Sequence, residues 1–286
     1  MAKPRIIIFG DPQRRYATEA MESFVKFAQG RADILANCFH GYCPIDILKQ
    51  ADFAVVFGGD GTILSAGREF CEAMVPVIGV NVGKLGFLAE FAPQELQKLF
   101  DRITGDDTII EKRLVLYCTL EGPGKETFSA RAINDVVITA GEPFRMIELK
   151  MSVQGQPLAG CPGDGVIIST PTGSTAYSLS AGGPILSANL GAMVITPICP
   201  HSLSFRPIVI NADNIVEVYG VRVNEGTTIT LDGHVSRKFN AEDKVVVKRH
   251  SCPFLVVNNP LRTQWDTLAG KLNWAGRPKY DTANEQ

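Results

Sequence analysis

Short apolar runs alternate with stretches of helical period over the first hundred residues, which predicts parallel strands joined by crossover helices. Residues 5–9 read as a strand. Residues 16–29 read as a helix with Met21, Phe24, Val25 and Phe27 on it, and residues 33–36 as a second strand. A third, 53–57, runs straight into Gly58-Gly59-Asp60-Gly61-Thr62, after which 63–70 looks helical. Residues 76–80 give another buried strand. Residues 93–103 form a helix that opens on Pro93 and repeats Leu96, Leu99, Phe100 and Ile103 at helical spacing.

Around Gly105-Asp106-Asp107 the texture changes to short strands separated by turn residues. The candidates are 115–120, 133–139, 146–153, 166–169, 193–196, 208–210, 215–218, 228–231 and 245–248. So many strands with so few helices predict an all-β, sandwich-like layer. The expected organisation is an α/β domain over 1–110, a β-rich domain over 111–260, and a tail over 261–286. In the tail, Trp265, Leu268, Leu272 and Trp274 suggest a short helix that packs back on the first domain or a neighbouring subunit, with the final six residues frayed.

A length of 286 residues fits two such domains, and 45% apolar with 20% charged residues excludes a disordered chain. The net charge of −2, with both signs interspersed, offers no basic field for nucleic acid or an anionic membrane, so the expected partner is a small molecule. The seven cysteines are odd in number and scattered, the pattern of reduced thiols. Cys38 and Cys43 flank His40, but no second pair completes a zinc site. No signal peptide or membrane-spanning run is visible.

A strand that ends in Gly-Gly-Asp-Gly-Thr and feeds a helix brings backbone amides and a helix N-terminus to one place, a plausible polyphosphate cradle. It is neither a Walker A loop nor the dinucleotide fingerprint, whose spacings are absent. Asp60 is the unexpected member, because a carboxylate beside polyphosphate is repelled unless it takes a proton from an attacking hydroxyl or helps to hold Mg²⁺. Helix capping is the plainer use of the same residue. Residues 164–184 are the second dense stretch: a strand, then a hydroxyl-rich loop suited to a base and a ribose, with Tyr177 as a stacking face. Asn134-Asp135 heads another strand, where it could bond a nucleotide or simply open a turn.

Taken in order, these stretches resemble the NAD kinase family, together with residues 81–88, 196–204 and 206–208. The resemblance implies transfer of the terminal phosphoryl group of ATP to the adenosine ribose 2′-hydroxyl of NAD. Asp60 would be the general base and Gly61 would lie against the dinucleotide. Asn134, Asp135, Arg145 and Asp164 would be NAD contacts, with Asp164 at the nicotinamide end. Thr175, Ala176, Tyr177, Ser178, Leu179 and Ser180 would hold the adenine and nicotinamide groups. Gly58, Gly59, Gly61 and Thr62 would flank the ATP phosphates, with Mg²⁺ between phosphates and protein through ligands the sequence leaves unknown. A cytoplasmic homo-oligomer, dimer or tetramer, is also implied. The chain departs from the family at Pro162, where relatives often carry Arg, and at His234, where they often carry Gln; His234 also fits a surface turn, and His201 a structural place among strand residues. Two other readings remain: a lipid or sugar kinase sharing the glycine turn, and a catalytically silent NAD-binding sensor.

Overall fold

The computed structural model describes residues 3–10, 15–38, 43–83, 86–106 and 109–274. The chain begins β1 (Arg5–Gly10), α1 (Arg15–Ala28), β2 (Asp33–Cys38), α2 (Ile45–Leu48), β3 (Phe53–Phe57), α3 (Asp60–Phe70), β4 (Val77–Val80), α4 (Pro93–Ile103) and β5 (Ile110–Arg113). It continues through β6 (Leu116–Glu121), β7 (Phe128–Ala132), β8 (Asp135–Thr139), β9 (Ile147–Val153), β10 (Gln156–Gly163), β11 (Gly165–Ser169), α5 (Tyr177–Ser180) and β12 (Ala192–Ile198). The remaining elements are β13 (Ile208–Asn211), β14 (Val216–Arg222), β15 (Thr228–Leu231), β16 (Val235–Lys238), β17 (Lys244–Arg249), β18 (Phe254–Val257) and α6 (Gln264–Leu272).

The first sheet has the order β2-β1-β3-β4-β18-β5 and is parallel up to β18. Its central strands are apolar on both faces because helices cover both. Ile6 and Ile8 pack with Met21 and Phe24 of α1 and Phe100 of α4. Ile7 and Phe9 point the other way, onto Leu48 of α2 and Ile63, Leu64 and Phe70 of α3. Two six-stranded antiparallel sheets follow, β10-β9-β14-β17-β6-β7 and β13-β12-β11-β8-β15-β16. They share one core, in which Leu116, Cys118 and Val247 of one face Val136, Ile138 and Ile168 of the other.

Several features differ from the sequence expectation, which also had no strand at the positions of β5, β7, β10 and β16. Phe254–Val257 is a strand, inserted between β4 and β5, so the chain returns to the first sheet after building the other two. The helix after the glycine turn begins at Asp60, not at residue 63: the Gly59 carbonyl accepts from the Thr62 and Ile63 amides at 3.0 and 3.2 Å. Cys38 and Cys43 are joined as a disulfide rather than held as thiols, their Cα atoms lying 5.5 Å apart, within bonding reach. In the tail, α6 forms over Gln264–Leu272 with Thr263 and Asp266 as a reciprocal N-terminal cap, while the final six residues lie outside the described set.

Candidate active site

β3 delivers Gly58 and Gly59 to the end of the first sheet, and α3 starts on Asp60. The Asp60 carboxylate does not cap its own helix. It reaches across to the segment after β4, where Oδ2 accepts from the Phe87 amide at 2.9 Å and Oδ1 from the Leu88 and Ala89 amides at 3.0 and 3.1 Å. Gly86 permits this approach, since a Cβ there would stand 1.9 Å from Oδ1. The sequence segment 81–88 therefore serves Asp60 by its backbone; Lys84 and Leu85 lie outside the described residues.

Asn134 and Asp135 stand at the start of β8, held by a residue that sequence reasoning passed over. The fully buried Asp232 carboxylate accepts from the amides of Ile133 at 3.0 Å, Asn134 at 2.7 Å and Asp135 at 3.3 Å, and pairs with the Arg68 guanidinium of α3 at 2.7 Å. One side chain thus ties the glycine-turn helix to the Asn134-Asp135 turn. In the sequence it stands in an Asp-Gly pair that reads as a turn after β15, and no local pattern marks its longer reach. Asp135 is 4% exposed. Burial and the charge on Asp232 push its carboxyl up to about 7.

The hydroxyl-rich loop docks on this turn. The Thr170 amide donates to the Asn134 carbonyl at 2.8 Å, the Thr170 hydroxyl donates to the Ile133 carbonyl at 2.6 Å, and a Cβ on Gly173 would lie 2.1 Å from the Asn134 carbonyl oxygen. Most of the hydroxyls are used inside the protein. Ser174 bonds the Pro171 carbonyl, Thr175 the Thr172 carbonyl, and Ser178, expected at the dinucleotide, is buried against the Thr196 hydroxyl at 2.9 Å. Thr172 is different: its Oγ1 is buried with no partner among the described residues, as is Arg113 Nε, and both residues line a cavity of about 40 Å³ with Phe87, Thr175 and Leu268. Ala176 precedes α5, on which Leu179 and Ser180 lie, and Tyr177 is 45% exposed, a free stacking face.

Arg145 and Asp164 are not brought to this place. In the pairing of β8 with β11, Ser169 faces Asp135 at one end and Gly165 faces Thr139 at the other, roughly 13 Å away at the usual strand rise. Asp164 and Arg145 belong to that far end, with the Asp164 carboxylate beside the exposed Cys199 thiol, whose pKa it holds up. Pro162 sits there too, on the edge strand β10, where a missing N–H is tolerated. His201 is exposed beyond the end of β12 rather than set among strand residues. Among the described residues, no three His, Cys, Asp or Glu side chains converge as a metal site, and no helix is long and apolar enough to cross a membrane.

Residues 40–108 match the ATP-NAD kinase N-terminal domain and residues 133–258 the ATP-NAD kinase C-terminal domain. NAD kinase of Geotalea daltonii is 41% identical over 81% of this chain and 82% of its own length, and that of Rhodopirellula baltica 35% identical over 96% and 88%. Among solved structures, yeast NADH kinase complexed with NADH aligns with a TM-score of 0.85 at 25% identity over 100% of this chain and 91% of that one. An NAD kinase from Archaeoglobus fulgidus in complex with ATP shares the fold, with a TM-score of 0.72 at 23% identity over 94% of this chain and 98% of that one. A glycine turn whose aspartate is clamped by backbone amides thus lies in a chain that both halves of one family cover, and the chain belongs to the NAD kinase family.

Proposed function

We propose that the chain phosphorylates the adenosine ribose 2′-hydroxyl of NAD with ATP, and that Asp60 accepts the hydroxyl proton. The observation that carries this is the Asp60 clamp. A carboxylate offers about four lone-pair positions; three are filled by the amides of residues 87–89, which leaves one for a hydroxyl. As the proton moves to Asp60, the 2′-oxygen bonds to the terminal phosphorus, the bond from phosphorus to the bridging oxygen breaks, and ADP leaves. Gly58, Gly59, Gly61 and Thr62, at the N-terminus of α3, suit the phosphates, since first-turn amides lack intrahelical acceptors. Asn134, Asp135 and the loop from Thr175 to Ser180 suit the dinucleotide, with the partnerless Thr172 hydroxyl and Arg113 Nε ready for polar atoms of a base and Tyr177 for its face.

Mg²⁺ carried in on ATP keeps several waters and takes its other ligands from the substrate phosphates, so it would neutralise phosphate charge at the glycine turn while the one remaining Asp60 position stays with the hydroxyl. Arg145 and Asp164, at the far end of β8 and β11, fit the nicotinamide end of an extended dinucleotide better than the ribose. The same reading makes the protein a cytoplasmic dimer or tetramer.

Asp60→Asn keeps the size of the side chain and removes the base. NADP formation from NAD and MgATP should fall by about 10²- to 10⁴-fold. Turnover at the wild-type rate would remove Asp60 from the chemistry, and a wild-type protein that makes no NADP would remove the activity.

A further inference from the structure

The chain passes between the first sheet and the two antiparallel sheets twice, leaving by residues 114–115 after β5 and returning by residues 250–253 before β18. The two crossings are bonded to each other, the His250 amide donating to the Val115 carbonyl at 2.8 Å. Between them and residues 188–191, which lead from the hydroxyl-rich loop to β12, lies a pocket of about 100 Å³. Roughly 10–15 Å³ suffices for one water, so the space takes a small polyatomic ion.

The ionisable side chains that line it are Lys112, Arg113, Arg249 and His250, and among the described residues no carboxylate does. Lys112 is exposed on β5 and has no ion pair among the described residues. Arg249 meets Asp213 at 3.2 Å, but the two side chains are 52% and 76% exposed, so water screens that pair. Arg113 is buried. Glu111 engages its Nη2 at 2.9 Å, while Nε has no partner among the described residues, and an unmet buried donor costs free energy until an acceptor arrives. Arg113 also lines the cavity that holds Thr172 and Thr175, so one guanidinium forms a wall of both spaces.

We propose that the pocket between the two crossings binds an oxyanion of the size of inorganic phosphate, and that the bound anion weakens dinucleotide binding by drawing on Arg113. Guanidinium groups hold such an ion through paired N–H donors, and the Lys112 ammonium adds a point charge. The site is separate from the phosphate cradle, since none of its lining residues belongs to the glycine turn or to residues 87–89. The coupling, though not the anion binding, rests on the NAD kinase reading, in which Arg113 serves the base. An anion on one side and a base on the other compete for the donors of one guanidinium, and each lowers the affinity of the other by the same factor.

The test is calorimetric titration of the whole protein with inorganic phosphate at constant ionic strength. The magnesium complex of a β,γ-methylene analogue of ATP is present throughout; it fills the glycine turn and transfers nothing. The expected result is one ion bound per chain, with an affinity that saturating NAD lowers by about fivefold. Lys112→Gln combined with Arg249→Gln should weaken the ion by about tenfold, and NAD affinity without phosphate should stay at the wild-type value. No bound ion, an affinity undiminished in the double variant, or one indifferent to NAD would overturn the proposal. Failure of the underlying reading would show instead as no NADP from wild type with NAD and MgATP, with the ion still bound.

Discussion

Asp60 and Asp135 are both carboxylates near the glycine turn, and their surroundings push them into different work. Asp60 is solvated by three amides of a neighbouring segment, whereas Asp135 has apolar strand neighbours and the charge of Asp232. The sign of the pH effect at Asp135 follows from its raised pKa. Below its ordinary value of 3.8 the carboxyl is protonated in both folded and unfolded chains, so it contributes nothing. As pH rises toward about 7 the unfolded chain releases this proton and the folded chain keeps it, so stability falls; above that it levels off. Asp135→Asn removes this loss. The variant's unfolding midpoint should gain on wild type as pH is raised from 4.5 to 8, read by denaturant titration at each pH; a constant difference would contradict the assignment.

α3 and β18 bind the layers together. α3 begins in the glycine turn, buries Ile63, Leu64 and Phe70 against the first sheet, and sends Arg68 to Asp232 beneath β8. β18 supplies Phe254, fully buried in the cluster that holds α3 and Ile133. That cluster is where the glycine turn and the Asn134 turn are set at a fixed separation. Phe254→Ala should cost about 3–5 kcal/mol of unfolding free energy, as large-to-small core changes do. The measurement is urea unfolding followed by tryptophan fluorescence and far-ultraviolet circular dichroism. A cost below about 1 kcal/mol would mean that the cluster collapses into the space or is less critical than its burial implies.

At the scale of the molecule, the last described helix closes the cavity beside the hydroxyl-rich loop. The Asn259 backbone amide donates to the Glu90 carboxylate and its side-chain amide to the Glu90 carbonyl, Arg262 donates to the same carbonyl and to the Glu95 carboxylate in α4, and the Gln264 amide donates to the Ser187 hydroxyl at 3.0 Å. Thr267 and Leu268 then line the space shared with Thr172, Thr175 and Arg113. A chain ended after Asn259 keeps every described strand and loses this wall. Its KM for NAD should rise by about tenfold, roughly 1.4 kcal/mol of binding, with the circular dichroism of the sheets retained. An unchanged KM would show that the helix is not part of the dinucleotide site.

The α/β opening, the antiparallel strands that follow it and the helix on the tail were legible in the sequence, because each rests on local period or local turn chemistry. β18 was not, since four apolar residues can pair in any register and their partners lie far back along the chain. The clamp of Asp60 by residues 87–89 and the reach of Asp232 to three amides and Arg68 were equally hidden. The same holds for the separation of Arg145 and Asp164 from the other expected contacts, which is a matter of strand register. Side-chain identity and spacing specify which groups are available; which backbone amide meets which carboxylate is decided only when segments distant in sequence pack, because hydrogen bonds act over about 3 Å and strands are ordered by their shared cores.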